Sequence, residues 1–160
     1  MKRLFLAAAL LAMPTIAAAQ AAPTPATYVM KAGAGDQYEI QSSRLVLATT
    51  KNAELKQFAT MMVADHTKST ADVKAAAMRS NLTPKPPMLD AMGTRNIAAL
   101  KATTGTARDT LYVKQQQAAH QVALKLHQSY AQTGTAPALK QAAAMIAPVV
   151  KHHIETLSSM

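Results

Sequence analysis

The chain has 160 residues, a formal charge of +9 and no cysteine. Its length allows one domain with a buried core, and the lack of cysteine excludes disulfides, thiolate metal sites and a lipid-modified cysteine anchor. Its lysines and arginines are scattered singly, without the clusters and interleaved aromatic residues of nucleic-acid-binding proteins, so we expect no nucleic-acid partner. We interpret the positive charge as a solvated surface, with weak attraction to an anionic envelope surface as the alternative.

Residues 1–19 have the pattern of a cleavable secretory signal peptide. Lys2 and Arg3 precede an apolar run at Leu4–Ala12, and small residues follow before the expected cleavage. Cleavage after Ala21 is the alternative. The apolar run is too short to span a membrane, and no later run is long enough. We therefore expect a periplasmic or secreted protein that is not a lipoprotein and has no transmembrane segment after signal removal.

The rest of the chain predicts an all-α domain. Residues 20–27 contain two prolines and indicate an extended lead-in, and residues 28–158 carry the helical patterns. Alanine is abundant, glycine is scarce outside the predicted helix ends, and no segment has a convincing strand pattern.

The first helix is predicted from Pro25 to about Thr49. Its inward face follows helical spacing through these residues: Tyr28, Ala32, Gly35, Glu39, Ser42 and Val46. Ala32 and Gly35 are small residues, which predicts close approach of a neighbouring helix. In the alternative interpretation Glu39 lies at the flank of the helix, and the core is formed by three aliphatic residues: Ile40, Leu45 and Leu47.

The second helix is predicted from an N-cap at Asn52 to about Ser80. Its inward face is interrupted by a histidine, and it consists of Leu55, Ala59, Met62, His66, Ser69, Val73 and Ala76. A buried histidine needs a partner, because an unsatisfied buried polar group is costly. Three prolines shortly after Asn81 prevent the helix from continuing and predict a stiff connector.

A short helix is predicted at Asp90–Thr103, within the crossover that leads to the third main helix at about Thr106–Thr133. The inward face of that main helix is unusually polar, and it consists of Asp109, Tyr112, Gln116, His120, Ala123, His127 and Tyr130. Such a face either borders solvent or lines a site. Gly134 ends the helix.

The fourth main helix is predicted from Pro137 to about Leu157. Its inward face consists of Leu139, Ala142, Ile146, Val149, His153 and Leu157, and His152 points to solvent. Pro148 is expected to kink or loosen this helix. Four long helices with a long connection between the second and third predict a four-helix bundle whose crossover carries the short extra helix.

Several motifs resemble a bacterial family of exported domains of unknown function with the ferritin-like fold, often described as outer membrane proteins. They are Gly35-x-x-x-Glu39, Phe58-Ala59-x-Met61-Met62-Val63-Ala64-Asp65-His66, Gly105-x-x-x-Asp109-x-x-Tyr112 with His120, and Pro148-x-x-x-x-His153. The resemblance covers about residues 26–157, and it implies the fold but little about chemistry. Arg108 replaces the family's usual aromatic residue, which is expected to loosen packing there.

The inward faces bring one candidate ligand from each main helix: Glu39, His66, His120 and His153. Three imidazoles and a carboxylate are suited to zinc, iron or copper. Asp65 and Asp109 are candidates to orient the ring nitrogens, and Tyr112 lies on the same face. The alternative is a network without a cofactor, in which Tyr112 or Glu39 satisfies the histidines.

The sequence favours a non-enzymatic exported bundle that binds a metal or an envelope partner, and location and family suggest a role in stress. The alternative is a metal-dependent redox enzyme of the ferritin-like type. That template requires Glu-x-x-His pairs, yet no histidine here has an acid three residues before it. Met61 and Met62 near His66 are compatible with Cu(I), although methionine more often fills gaps in a core.

Overall fold

The computed structural model of the protein describes residues 23–160. The described part of the chain forms five helices: α1 (Pro25–Leu47), α2 (Ala53–Arg79), α3 (Ala91–Ala102), α4 (Gly105–Thr133) and α5 (Pro137–Leu157). This order confirms the predicted all-α bundle of four long helices with a short helix in the crossover. The predicted signal peptide lies outside the described residues. None of the described helices is long and apolar enough to cross a membrane.

Polar side chains define the starts of three helices. Thr24 Oγ1 accepts a hydrogen bond from the amide of Thr27 at the start of α1. Asn52 Oδ1 accepts from the first free amides of α2, which confirms the predicted N-cap, and Asp90 Oδ1 accepts from the amide of Gly93 in α3. Each such cap contributes about 1 kcal/mol to stability.

The helices pair along their lengths and enclose one interior. α1 packs along α2 and α4 packs along α5, while α2 with α5 and α1 with α4 close the bundle. The short α3 lies mainly against α1. A Cβ atom added to Gly93 would lie 3.4 Å from Tyr38 Cβ of α1, which is an ordinary van der Waals contact between the two helices.

A polar layer separates two apolar clusters in the interior. One cluster includes Tyr28, Val73, Tyr130 and Leu139, and the other includes Val46, Phe58, Tyr112 and Leu157. On each long helix, the following buried polar residues lie between members of the two clusters: Asp36, Glu39, His66, His120 and His153. The fold therefore concentrates ionisable groups at one level of the bundle.

Two details of the predicted faces are wrong. Gly35 is exposed, and the close approach occurs at Gly33, where an added Cβ would lie 3.2 Å from Pro87 Cβ in the proline connector. In α5 the inward face passes through Val150, which is 1% exposed, and Val149 is 40% exposed. Residue 150 is four positions after a buried isoleucine and three before a buried histidine, so it shares their face.

Pro148 and Arg108, which were expected to kink a helix and to loosen the packing, are both accommodated without a break in the helices. α5 continues through Pro148, which lies on the exposed side of the helix. Arg108 is buried, and its guanidinium donates to Leu100 O (2.9 Å), Thr103 O (2.7 Å) and Thr49 Oγ1 (3.1 Å). Arg108 therefore joins the ends of α3 and α1 to α4, instead of loosening the packing as expected.

Candidate metal centre

Three buried histidines from three helices converge in the polar layer. His66 of α2, His120 of α4 and His153 of α5 are at most 4% exposed. One ring nitrogen of each lies within 4.8 Å of the others, and their ring centroids are 5.3–5.7 Å apart. The structure thus brings together three of the four residues that the sequence indicated as ligands.

One nitrogen of each imidazole is held by an oxygen that can only accept a hydrogen bond. The three contacts are His66 Nδ1 to Asp36 Oδ1 (2.8 Å), His120 Nδ1 to Gln116 O (2.8 Å) and His153 Nε2 to Asp65 Oδ2 (2.9 Å). A carbonyl or ionised carboxyl oxygen has no hydrogen to donate, so each of these ring nitrogens carries one. The acceptors therefore fix the tautomer of every neutral ring.

In the neutral form of each ring these contacts leave the lone pair on the other nitrogen, which is Nε2 in His66, Nε2 in His120 and Nδ1 in His153. The last two nitrogens are 3.3 Å apart, and His66 Nε2 is buried without a hydrogen-bond partner among the described residues. Two facing lone pairs repel unless a positive charge lies between them. Bonds of 2.0–2.1 Å to a tetrahedral zinc ion separate two ligating nitrogens by about 3.3 Å.

The pKa values of the three rings differ according to their surroundings. Burial lowers the pKa of His120 to about 3, and burial also lowers the pKa of His153, although the bond to Asp65 opposes this. Burial disfavours the charged form of His66 as well, but the hydrogen bond and charge of Asp36 outweigh it and raise the pKa. The metal-free centre therefore favours a charged His66, with a second proton on Nε2, and two neutral rings beside it.

Asp36 is a residue of the candidate centre that the sequence did not lead us to predict. Its side chain is buried, and it accepts hydrogen bonds from His66 Nδ1 and from Thr70 Oγ1 (3.0 Å). It lies four residues after Ala32 and three before Glu39, so it shares the inward face of α1. This spacing is a signal for Asp36 in the sequence, but the predicted face passes through the neighbouring Gly35.

Glu39 lies inward, as its position on the face predicts, but it is not part of the three-nitrogen group. Glu39 Oε1 is 3.7 Å from His120 Nδ1, the ring nitrogen that already bonds to a backbone carbonyl. Glu39 Oε2 is buried without a hydrogen-bond partner among the described residues. Burial raises the pKa of Glu39 to about 7. The carboxyl group is thus a neighbour of the centre that changes charge near neutral pH.

Of the predicted supporting residues, only Asp65 bonds to a histidine. The carboxylate of Asp109 accepts from Thr50 Oγ1 (2.7 Å), and the hydroxyl of Tyr112 pairs with Ser43 Oγ (2.7 Å). Both residues are on the inward face of α4, but they precede the histidine of that helix by two turns or more, about 12–16 Å along the axis. They therefore neither orient nor satisfy the histidines of the centre.

A fourth buried histidine forms a separate pair. His127 Nδ1 lies 2.9 Å from the hydroxyl of Tyr28, which stacks on Tyr130 with ring centroids 4.0 Å apart. Burial lowers the pKa of His127 to about 4. His127 thus bonds to Tyr28 of the first apolar cluster and is not one of the three grouped histidines.

Comparisons with known proteins define the family and support the fold. A domain of unknown function, DUF4142, matches residues 11–160. Similar solved structures are a DUF305 fragment from Deinococcus radiodurans (13% identity, 87% of this chain and 95% of that chain, TM-score 0.74) and CopM in the Cu(II)-bound form (17% identity, 86% and 95%, TM-score 0.73). No protein with a curated description matches the sequence. The structural likenesses show a shared helical-bundle fold, and the profile match shows that this chain belongs to the DUF4142 family.

Proposed function

We propose that this protein is an exported helical bundle that binds one transition-metal ion through His66, His120 and His153. The observation that carries the proposal is the convergence of three buried ring nitrogens whose partners leave each with a free lone pair. Metal-binding histidines commonly donate their second ring nitrogen to a carboxylate or a backbone carbonyl. All three rings here have such a partner.

The donor set favours a late first-row divalent ion. Imidazole is a good ligand for zinc, copper, iron and nickel, and Cu(II) has the highest intrinsic affinity for such nitrogen sites. Asp36 and Asp65 place negative charge behind two of the rings and would partly balance the charge of the ion. The protein of similar fold whose structure contains Cu(II) makes copper the first ion to test.

We propose binding or buffering of the ion as the activity. The side chains of the three histidines are at most 6% exposed, so a substrate larger than water has no direct access to the rings in this conformation. The signal-peptide pattern supports a location in the periplasm or outside the cell, where the bundle would limit free metal or contact an envelope partner.

Elemental analysis of the untagged mature protein, purified from the periplasm, tests the proposal. We expect about one metal ion per chain, and Cu(II) bound to the protein should show nitrogen hyperfine coupling in its electron paramagnetic resonance spectrum. The His153→Ala variant should lose the ion, whereas His152→Ala, which removes the exposed neighbouring histidine, should retain it. A folded wild-type protein that binds neither Cu(II) nor Zn(II) would show that the histidines form only a structural network.

A further inference from the structure

The candidate centre has one edge that reaches solvent. Of the groups that hold the three imidazoles, Asp36 has a side chain that is 3% exposed and Gln116 is fully buried, whereas the side chain of Asp65 is 38% exposed. The histidine bonded to Asp65 is itself 1% exposed. Among the described residues that form the centre, Asp65 is therefore the point of contact with the aqueous phase.

A single imidazole ring connects this exposed carboxylate to the interior of the centre. His153 Nε2 bonds to Asp65 Oδ2 at 2.9 Å, and Nδ1 of the same ring faces His120 Nε2 at 3.3 Å. Rotation of the His153 side chain would break one half-exposed hydrogen bond. Moving either of the other two rings would break a bond to a fully buried acceptor, which is more costly.

We propose that the metal ion enters and leaves the centre through the Asp65–His153 contact between α2 and α5, with Asp65 as the first group that binds it. This inference rests on the proposed function. A carboxylate attracts a hydrated divalent cation and can replace one of its waters. Displacement of His153 from Asp65 then passes the ion to an imidazole that already belongs to the site.

The charges around this contact are compatible with capture of a cation. Lys68, one turn after Asp65, forms an ion pair with Asp72 at 2.6 Å. Lys151, on the same helix as the histidine, lies 3.7 Å from Glu155. Each lysine therefore pairs with an acid other than Asp65, although these exposed ion pairs are weak.

Stopped-flow measurement of Cu(II) uptake by the metal-free mature protein tests this route with two matched variants. Asp65→Asn and Asp36→Asn each replace a carboxylate behind a histidine by an amide that can still accept a hydrogen bond. Both should weaken binding, by about 10–100-fold as is typical for such partners of metal ligands. Asp65→Asn should lower the association rate by about tenfold and reduce its dependence on salt. Asp36→Asn should act mainly on dissociation.

The Asp65→Glu variant keeps the charge and should restore most of the association rate, which separates capture from a general effect on folding. Circular dichroism melting curves establish that each variant is folded. Association by Asp65→Asn at the wild-type rate in low salt would overturn the route while leaving the metal site in place. Equal slowing by Asp36→Asn would also overturn it, because only the charge of the whole centre would then matter. Failure of the wild-type protein to bind Cu(II) would overturn the proposed function and the route together.

Discussion

Acidification from pH 7 to pH 5 should destabilise the metal-free protein because two deeply buried histidines resist protonation. Burial lowers the pKa of His120 to about 3 and that of His127 to about 4, from an ordinary value of 6.5. Below pH 6.5 the unfolded chain binds protons at these rings that the folded protein does not. Their contribution to stability is therefore fully present above pH 6.5 and is lost as the pH falls towards the folded-state values.

The size of this pH dependence follows from the number of protons that the unfolded chain binds in excess of the folded protein. Each proton bound only by the unfolded state lowers the free energy of unfolding by about 1.4 kcal/mol per pH unit, so His120 and His127 together account for about 2.7 kcal/mol per unit. Burial raises the pKa of Glu39 to about 7, so the folded state holds a proton there and offsets about 1.4 kcal/mol per unit. His66, whose pKa is raised, is protonated in both the folded and the unfolded state below pH 6, so it does not alter the slope. The lowered pKa of His153 adds to the loss of stability on acidification. We expect a net loss of at least about 1.4 kcal/mol between pH 6 and pH 5.

Urea unfolding followed by circular dichroism at pH 7, 6 and 5, with a chelator present, measures this slope. His127→Gln removes one of the two groups without touching the three-histidine centre. The loss of stability on acidification should therefore become smaller by about 1.4 kcal/mol per pH unit. His152→Gln, which alters an exposed histidine, is the matched control and should leave the slope unchanged. An increase in stability from pH 6 to pH 5, or the same slope in His127→Gln as in the wild type, would refute the reasoning.

Two further pairs of substitutions test the packing. Tyr28→Phe should lower the free energy of unfolding by about 1–3 kcal/mol, because it removes the hydroxyl bonded to His127. Tyr130→Phe should cost less, because the buried hydroxyl of Tyr130 has no side-chain hydrogen-bond partner among the described residues and meets only the backbone of Ala136. Gly33→Ala should destabilise the protein by forcing the proline connector away, whereas Gly35→Ala, in open space, should stabilise it by about 0.5–1 kcal/mol. Equal effects within either pair, measured by urea unfolding, would contradict the packing described above.

The fold was predictable because its signals are local. Asn52 begins α2 where its side chain can accept from free amides, and Pro137 begins α5 in the first helical turn. The left-handed backbone at Asn81 (φ 57°) and the prolines after it end α2. Such signals depend only on neighbouring residues and backbone geometry, so the order and approximate length of the helices could be inferred without knowing how the helices pack.

The candidate site was only partly predictable, because helical periodicity gives the direction of a side chain but not its level in the bundle. His120 and Tyr112 share a face of α4, yet they lie about 12 Å apart along the axis. Only the stagger of the helices decides which one meets His66. The sequence also left open whether Gly35 or Asp36 faces the interior, since adjacent residues differ by about 100° around the helix. The choice between them depends on where α2 crosses, and a single sequence does not contain that crossing angle.

The proposed cation binding accounts for the polar layer better than stability alone does. Apolar side chains of similar volume commonly stabilise a core as well as buried ionisable groups do, or better. In the metal-free protein the lone pairs of His120 Nε2 and His153 Nδ1 face each other, and His66 is charged beside Asp36. A divalent ion would use one nitrogen of each ring and displace the second proton of His66, so binding should release it. Asp36 and Asp65 would then place two negative charges behind the rings against the two positive charges of the ion, so that one arrangement satisfies both the hydrogen bonds and the charge.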